Sequence, residues 1–150
     1  MTNLVVFHLD ELRIALLLAA VERIVCAVEV TPLPGAPAMV HGAIDMQGRI
    51  LAVLNLRRRF RLPEREIWPA DQFVIASTVR RAVALVVDEA EGLIEVEQSA
   101  VIGSDQIVSD LEQFPGVVKL DDGLALIHDL EKFFSLDEAH ALDAAMERAE

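Results

Sequence analysis

Side chains able to do acid, base, nucleophilic or metal chemistry occur in this 150-residue chain, but they are not grouped for it. His8, His41, His128 and His140 stand far apart, and no pair has metal-ligand spacing with a Cys or carboxylate partner. His8 and His128 fall in strand-like runs, where hydrogen-bonded structural histidines are the expectation. Cys26, the sole cysteine, has no neighbouring His, Lys or nucleophile motif and reads as an inert packed thiol. Asp88 with Glu89 and Glu91, and Asp121 with Asp122, put carboxylates close together as an acid/base pair requires. No Gly-rich phosphate cradle accompanies either set, and turn chemistry accounts for the second. No catalytic residue, metal ligand or cofactor is assigned, and the chain reads as a non-enzyme.

Arg57, Arg58, Arg59, Arg61 and Arg65 form the one basic run. A nucleic-acid-binding protein would use such a run, but it would interleave aromatic side chains and carry a basic surface overall. The net charge is -12, and a solvated helix face leading into a polar loop is the plainer reading of the run. Phe60, inside it, is expected to plug a core. Trp68, farther on in the charged loop, would either anchor a partner or close that loop over the fold. Charge is unevenly spread: residues 1–85 hold ten Lys and Arg against eight Asp and Glu, whereas residues 86–150 hold three against seventeen. Such asymmetry orients a protein beside charged partners. The lone cysteine suits a cytosolic setting. The apolar N-terminus is broken by Asp10, Glu11 and Arg13, with no cleavage-site pattern, so neither a leader nor a membrane insertion is expected.

The elements that must position these residues can be read from a repeat. Gly42 to Leu56, closing on Phe60, returns as Gly116 to Leu130, closing on Phe134, and Ala15 to Val25 is echoed by Ala84 to Ile94. Two half-length copies imply two equivalent small units meeting at a seam. Leu4 to Leu9 and Ile14 to Leu18, split by Asp10-Glu11, are a hairpin signature. Ala19 to Ile24 has room for one helical turn, and Val25 to Leu33 alternates like a strand until Pro32, Pro34 and Pro37 force a bend. Gln47-Gly48 and Asp121-Asp122-Gly123 are hairpin turns, and Asn55 and Asp129 are equivalent caps for short helices reaching Phe60 and Phe134.

Residues 61–70, with two prolines and four charges, divide the copies. Strands resume at Gln72 to Thr78, Arg81 to Val87 and Gly92 to Val96. Residues 98–113 read as a loop with one short helical piece, before strands at Phe114 to Leu120 and Leu124 to His128. Ser135 and Glu138 have capping-box spacing ahead of an alanine-rich helix, whose Leu136, Ala139, Leu142 and Met146 would dock weakly or fray. Closely spaced short strands without long intervening helices predict an all-β fold with short helices, built as two barrels that exchange strands or pack tightly together.

Val21-Glu-Arg-Ile24, Leu33-Pro-Gly-Ala-Pro37, Gly42 to Gly48, Leu51 to Leu56, Val86-Val-Asp88 and Gly123 to Leu130 together resemble the CheW-like chemotaxis coupling proteins, in unbroken order from about Val5 to Phe134. That resemblance implies two intertwined five-stranded SH3-like β-barrels over residues 1–136, with copies at about 13–60 and 81–134, and an acidic C-terminal helix or tail at 137–150. It implies a cytoplasmic adaptor bridging a methyl-accepting chemoreceptor tip to the regulatory domain of a CheA-type histidine kinase. It also implies a receptor-binding groove lined by Leu18, Val21, Gln47, Leu56 and Ala90. The repeat separately makes Val21 and Ala90 equivalent. The chain departs from the family pattern at Gln47, where Arg usually precedes the turn glycine, and at Ala52, where Pro is usual. A CheW-like module of a non-flagellar or other two-component pathway, and a small nucleic-acid-binding barrel using Arg57 to Arg65, are the alternative functions.

Overall fold

The computed structural model describes residues 1–103 and 116–149. Strands β1 (Thr2–Leu9) and β2 (Leu12–Leu17) form the opening hairpin, and a 3-10 turn at Leu18–Ala20 leads into β3 (Val21–Cys26). The hairpin β4 (Val40–Met46) and β5 (Arg49–Leu54) runs into the short helix α1 (Leu56–Arg59). Strands β6 (Gln72–Ser77), β7 (Ala82–Val87) and β8 (Glu89–Val96) come after it. A 3-10 turn at Gln98–Ala100 and β9 (Val101–Gly103) are next. The hairpin β10 (Gly116–Leu120) and β11 (Gly123–Ile127), a 3-10 turn at Leu130–Lys132 and helix α2 (Leu136–Ala149) complete the described chain.

These strands make two sheets in the orders β8-β1-β2-β11-β10-β9 and β3-β6-β7-β5-β4. Each sheet takes strands from both copies, because β3 leaves its own hairpin to pair with β6 and β8 leaves its own to pair with β1. The exchange of strands expected from the repeat is thus present. Its register is the same in both halves: Leu4 opposite Leu17 corresponds to Phe73 opposite Val86. The parallel pair Ala52 and Val83 corresponds in the same way to Leu126 and Ile14. Even the irregularities match, since the ladder skips Glu22 in β3 and the equivalent Glu91 in β8. Such agreement is expected of buried strands, in which a slip of one residue would turn every core side chain outward.

The first sheet has six strands where five were expected. The sixth, β9, pairs with β10, and its counterpart in the first copy survives only as a bridge, in which Thr31 N–H donates to Ala43 O at 2.9 Å and Ala43 N–H donates to Thr31 O at 2.8 Å. In each half the chain leaving one edge strand thereby reaches the opposite edge. The approach is so close that a Cβ on Gly42 would sit 2.1 Å from the Thr31 carbonyl oxygen, and one on the equivalent Gly116 would sit 3.0 Å from that of Ile102. This is a physical reason for the same glycine to open both repeats.

Burial explains why the strands are almost continuously apolar. Leu4 and Val6 enter a cluster with Ala15, Val118 and Ala125 inside the first sheet, while Phe7 and Leu9 face a cluster shared by both sheets. In the same way Phe73 and Ile75 face the interior of the second sheet, and Val74 and Ala76 the shared cluster. Each fully buried side chain of this size stabilises the fold by roughly 1.5–3 kcal/mol, so the seam between the halves is itself a core.

Local expectations met mixed outcomes. Both hairpin turns form, and Asn55 caps α1 by accepting from Arg58 N–H at 3.0 Å. Asp129 caps only a 3-10 turn, not a helix reaching Phe134. The helical turn expected over Ala19 to Ile24 is limited to Leu18–Ala20, and the following strand starts at Val21, four residues early, because pairing with β6 overrides the local pattern. Ser135 and Glu138 make both bonds of the capping box, at 2.9 and 3.1 Å. The helix they open buries Leu142, Ala145 and Met146, while Leu136 is 65% exposed and leaves the expected stripe. Cys26 is exposed, not packed, since it falls at the end of β3. Most of the expected 98–113 loop lies outside the described residues.

Candidate functional site

Five charged side chains meet where the two sheets join. Arg57, in the first turn of α1, is 8% exposed, and its guanidinium donates to Asp10 Oδ1 and Oδ2 at 2.9 and 3.0 Å and to Asp88 Oδ1 at 2.7 Å. Asp88, between β7 and β8, also accepts from Asp10 N–H at 2.7 Å and from Arg65 at 2.9 Å. Arg65 forks onto the buried Asp71, with both bonds 2.8 Å long. Trp68 is half exposed and lies beneath that guanidinium, 3.8 Å from its central carbon.

Asp10 comes from the first hairpin, Arg57 from the end of the second, Asp88 from the second copy, and Arg65 and Asp71 from the segment between copies. The network therefore ties the halves across the seam. The Arg57 hydrogen bond holds the Asp10 carboxyl below its usual range. Burial pushes Asp71 up, but the bonds from Arg65 and from Trp68 N–H outweigh it and leave a net lowering.

These contacts account for two features of the sequence. The carboxylates of Asp88 and Glu91, close in sequence, have separate partners: Asp88 is bound by two guanidiniums, and Glu91 is held by Arg13 at 2.9 and 3.1 Å. The basic run is likewise not a continuous cationic face. Arg57 and Arg65 are committed to carboxylates, and Arg58 lies 3.6 Å from Glu64. Phe60 packs partly into the shared core, with its ring edge-on to His128 at 5.3 Å between centroids.

The groove residues separate into three groups. Val21 and Ala90, half-buried at equivalent places in β3 and β8, both pack on the shared core from opposite sheets, facing Ala76 and Phe7 across their ladders. Leu18 is 38% exposed on the 3-10 turn just before Val21. Leu56 is 1% exposed, so its expected role as a wall is corrected: as the first residue of α1 it is turned into the shared core. Gln47 is exposed at the hairpin tip with φ 55°.

The cation missing at Gln47 is present two residues later. Arg49 forks onto Glu22 at 3.0 and 3.3 Å, and Ser77 Oγ donates to the same carboxylate at 2.8 Å. The Arg49 hydrogen bond, aided by Ser77, holds the Glu22 carboxyl below its usual range. Glu22 and Glu91 are the residues skipped where β3 pairs with β6 and β8 with β1, and each is gripped by one arginine. Sequence reasoning missed both this correspondence and the seam network. The available signal was weak: a single Asp ending the apolar run Val83 to Val87, and an Arg two residues after the Asn55 cap.

Among the described residues no group of three or more His, Cys, Asp or Glu could hold a metal ion. No helix among them is long and apolar enough to cross a membrane.

Comparison with known proteins places this architecture. The chain is 30% identical over 146 residues to the chemotaxis protein CheW of Treponema pallidum, with 93% of this chain and 86% of that one covered. It is 30% identical over 99 residues to the chemotaxis protein CheW of Bacillus subtilis, covering 66% and 64%. The crystal structure of the scaffolding protein TtCheW from Thermoanaerobacter tengcongensis superposes with a TM-score of 0.82 at 25% identity, covering 91% of this chain and 94% of that one. The family model for the CheW-like domain matches residues 3–138, and with the exchanged-strand fold behind that match, the chain belongs to the CheW-like domain family.

Proposed function

We propose that the chain is a non-enzymatic cytoplasmic adaptor of chemotaxis, coupling chemoreceptor tips to the regulatory domain of a CheA-type histidine kinase. The supporting observation is the pair Val21 and Ala90. Equivalent positions in two copies are brought from different sheets onto one shared core, half-exposed, with Leu18 beside Val21. A receptor tip is a helical hairpin, and helix-in-groove recognition needs a shallow apolar trough with charged pins at its rim. Leu18, Val21 and Ala90 supply the trough, Leu56 backs it from the core, and the Gln47 hairpin brings Arg49 and Glu22 as rim charges. Two or three such side chains contribute a few kcal/mol together, suited to a weak contact that an array multiplies. The residues 1–136 form the adaptor in this reading.

Co-sedimentation with a receptor tip fragment and a CheA regulatory domain tests it, using the wild type and Val21→Asp. The wild type is expected to bind both, and Val21→Asp to lose the receptor while keeping the kinase. Failure of the wild type to bind any CheA-type kinase of its own organism would remove the adaptor reading. Gln47→Arg addresses the departure: unchanged receptor affinity would make Gln47 scaffold.

A further inference from the structure

The space beneath the capped turn that ends each hairpin differs between the copies. In the first copy it is enclosed by Asn55, Leu56, Arg57, Asp71 and Val86, and the inter-copy segment Arg65 to Ile67 fills it, leaving about 10 Å³. The repeat makes Asp129, Leu130, Glu131, Thr2 and Leu17 the equivalent residues of the second copy, and there the chain leads instead into α2. Those five residues, with Ala20 and Ile127 among others, line a cavity of about 460 Å³. Its walls combine aliphatic side chains with the polar Thr2, Ser77, Gln98, His128, Asp129 and Glu131, and its size lies in the range of pockets that hold ligands.

We propose that this cavity receives an extended segment of a protein partner that presents a branched aliphatic side chain beside a Lys or Arg, as Arg65-Glu66-Ile67 does in the first copy. The first copy supplies the template for the aliphatic residue. Charge supplies the cation. In the filled copy Arg65 is held by Asp71 and Asp88, and it shares Asp88 with Arg57. In the second copy those two acids give way to Thr2 and Ala19, while Glu131 takes the place of Arg57 and Asp129 that of Asn55, so the carboxylates that a cation meets there come from the turn itself. Glu131 is already oriented, because its carboxylate accepts from Val79 N–H at 3.0 and 3.2 Å. The cavity adjoins the receptor groove, since Leu17 and Ala20 flank Leu18 and Ser77 bonds Glu22, but Leu18, Val21, Gln47, Leu56 and Ala90 are not among its lining, and the inference stands whether or not the adaptor reading holds.

The test is methyl NMR titration of the full chain with a synthetic peptide of its own 62–70 sequence, both glutamates replaced by alanine to avoid repelling Glu131. Saturable shifts at the Leu17, Leu130 and Ile127 methyls are expected. Ala20→Trp, which fills the cavity, should abolish them with the fold intact by circular dichroism. Glu131→Gln, which keeps the acceptor for Val79 and removes the charge, should weaken binding by about fivefold, the worth of one partly exposed ion pair. A peptide with its arginine replaced by glutamate should bind at least that much more weakly. No shift, or shifts indifferent to both Ala20→Trp and the charge changes, would overturn the proposal. So would contacts in the free protein between these methyls and residues 104–115, which would mean that the chain fills the cavity itself.

Discussion

The first copy continues from its capped turn into a segment that folds back under it, and the second continues from its own into a helix that lies elsewhere. Arg57 in the first is bound by carboxylates across the seam, whereas the equivalent Glu131 in the second accepts a backbone N–H from the turn after β6. The strand ladders, by contrast, keep the same register in both copies, down to the skipped Glu22 and Glu91. The difference teaches where a duplicated fold can diverge. A register shift would invert every buried side chain, so the ladders are held. The segment leaving a turn is restrained only by the surface it can cover, so each copy has used its exit differently.

Breaking Arg57 should expose the contrast most strongly. Arg57→Met removes the buried guanidinium that ties Asp10 and Asp88 across the seam, and an expected loss of about 2–3 kcal/mol, the worth of charge-assisted hydrogen bonds, is measurable by urea denaturation. Glu131→Met, at the equivalent place, removes one exposed acceptor and should cost less than about 1 kcal/mol. Equal losses would mean that the seam network is not what ties the halves. The same network sets a pH response. Asp10 and Asp71 have lowered folded-state pKa values, so their contribution is present above the ordinary carboxylate pKa of 3.8 and is lost as pH falls through the depressed folded values. Stability measured from pH 5 downward should therefore fall less steeply in Asp71→Asn than in the wild type.

The exit of the second copy is tested by α2. Leu142→Ala should cost about 2–4 kcal/mol, because the side chain is 2% exposed in the shared core. Leu136→Ala, on the exposed first turn, should stay within about 0.5 kcal/mol. If Leu142→Ala were equally silent, the helix would be an appendage and not part of the core. Below the Leu142 loss come the caps. Asn55→Ala and Ser135→Ala should each cost about 1 kcal/mol in thermal unfolding, with Asn55 the larger because its side chain also donates to Glu64 at 3.0 Å.

Much of the fold is legible in the residues alone. Both hairpin turns, the Asn55 cap, the capping box at Ser135 and the two-copy architecture depend on interactions within a few residues or on pattern alone. The site is less so. Leu56 resembles a groove wall because it comes after a strand and lies at a family position, but which way a residue at a helix start faces depends on what packs there. Arg57 and Arg65 look like members of a solvated basic run, and Asp88 like half of an acid pair, because their partners are 47, 6 and 31 residues away.

By itself the sequence determined the alternation, turns, caps and repeat, since each is local chemistry or a comparison of the chain with itself. Tertiary structure alone decided which strands cross, β3 and β8, that two arginines and three aspartates meet at the seam, and that Val21 and Ala90 share one core. It also decided that the space filled in one copy is, among the described residues, a cavity in the other. The physical reason is the same throughout: ion pairs and core contacts form between residues distant in the chain, and nothing in a side chain's neighbours specifies which distant surface it will meet.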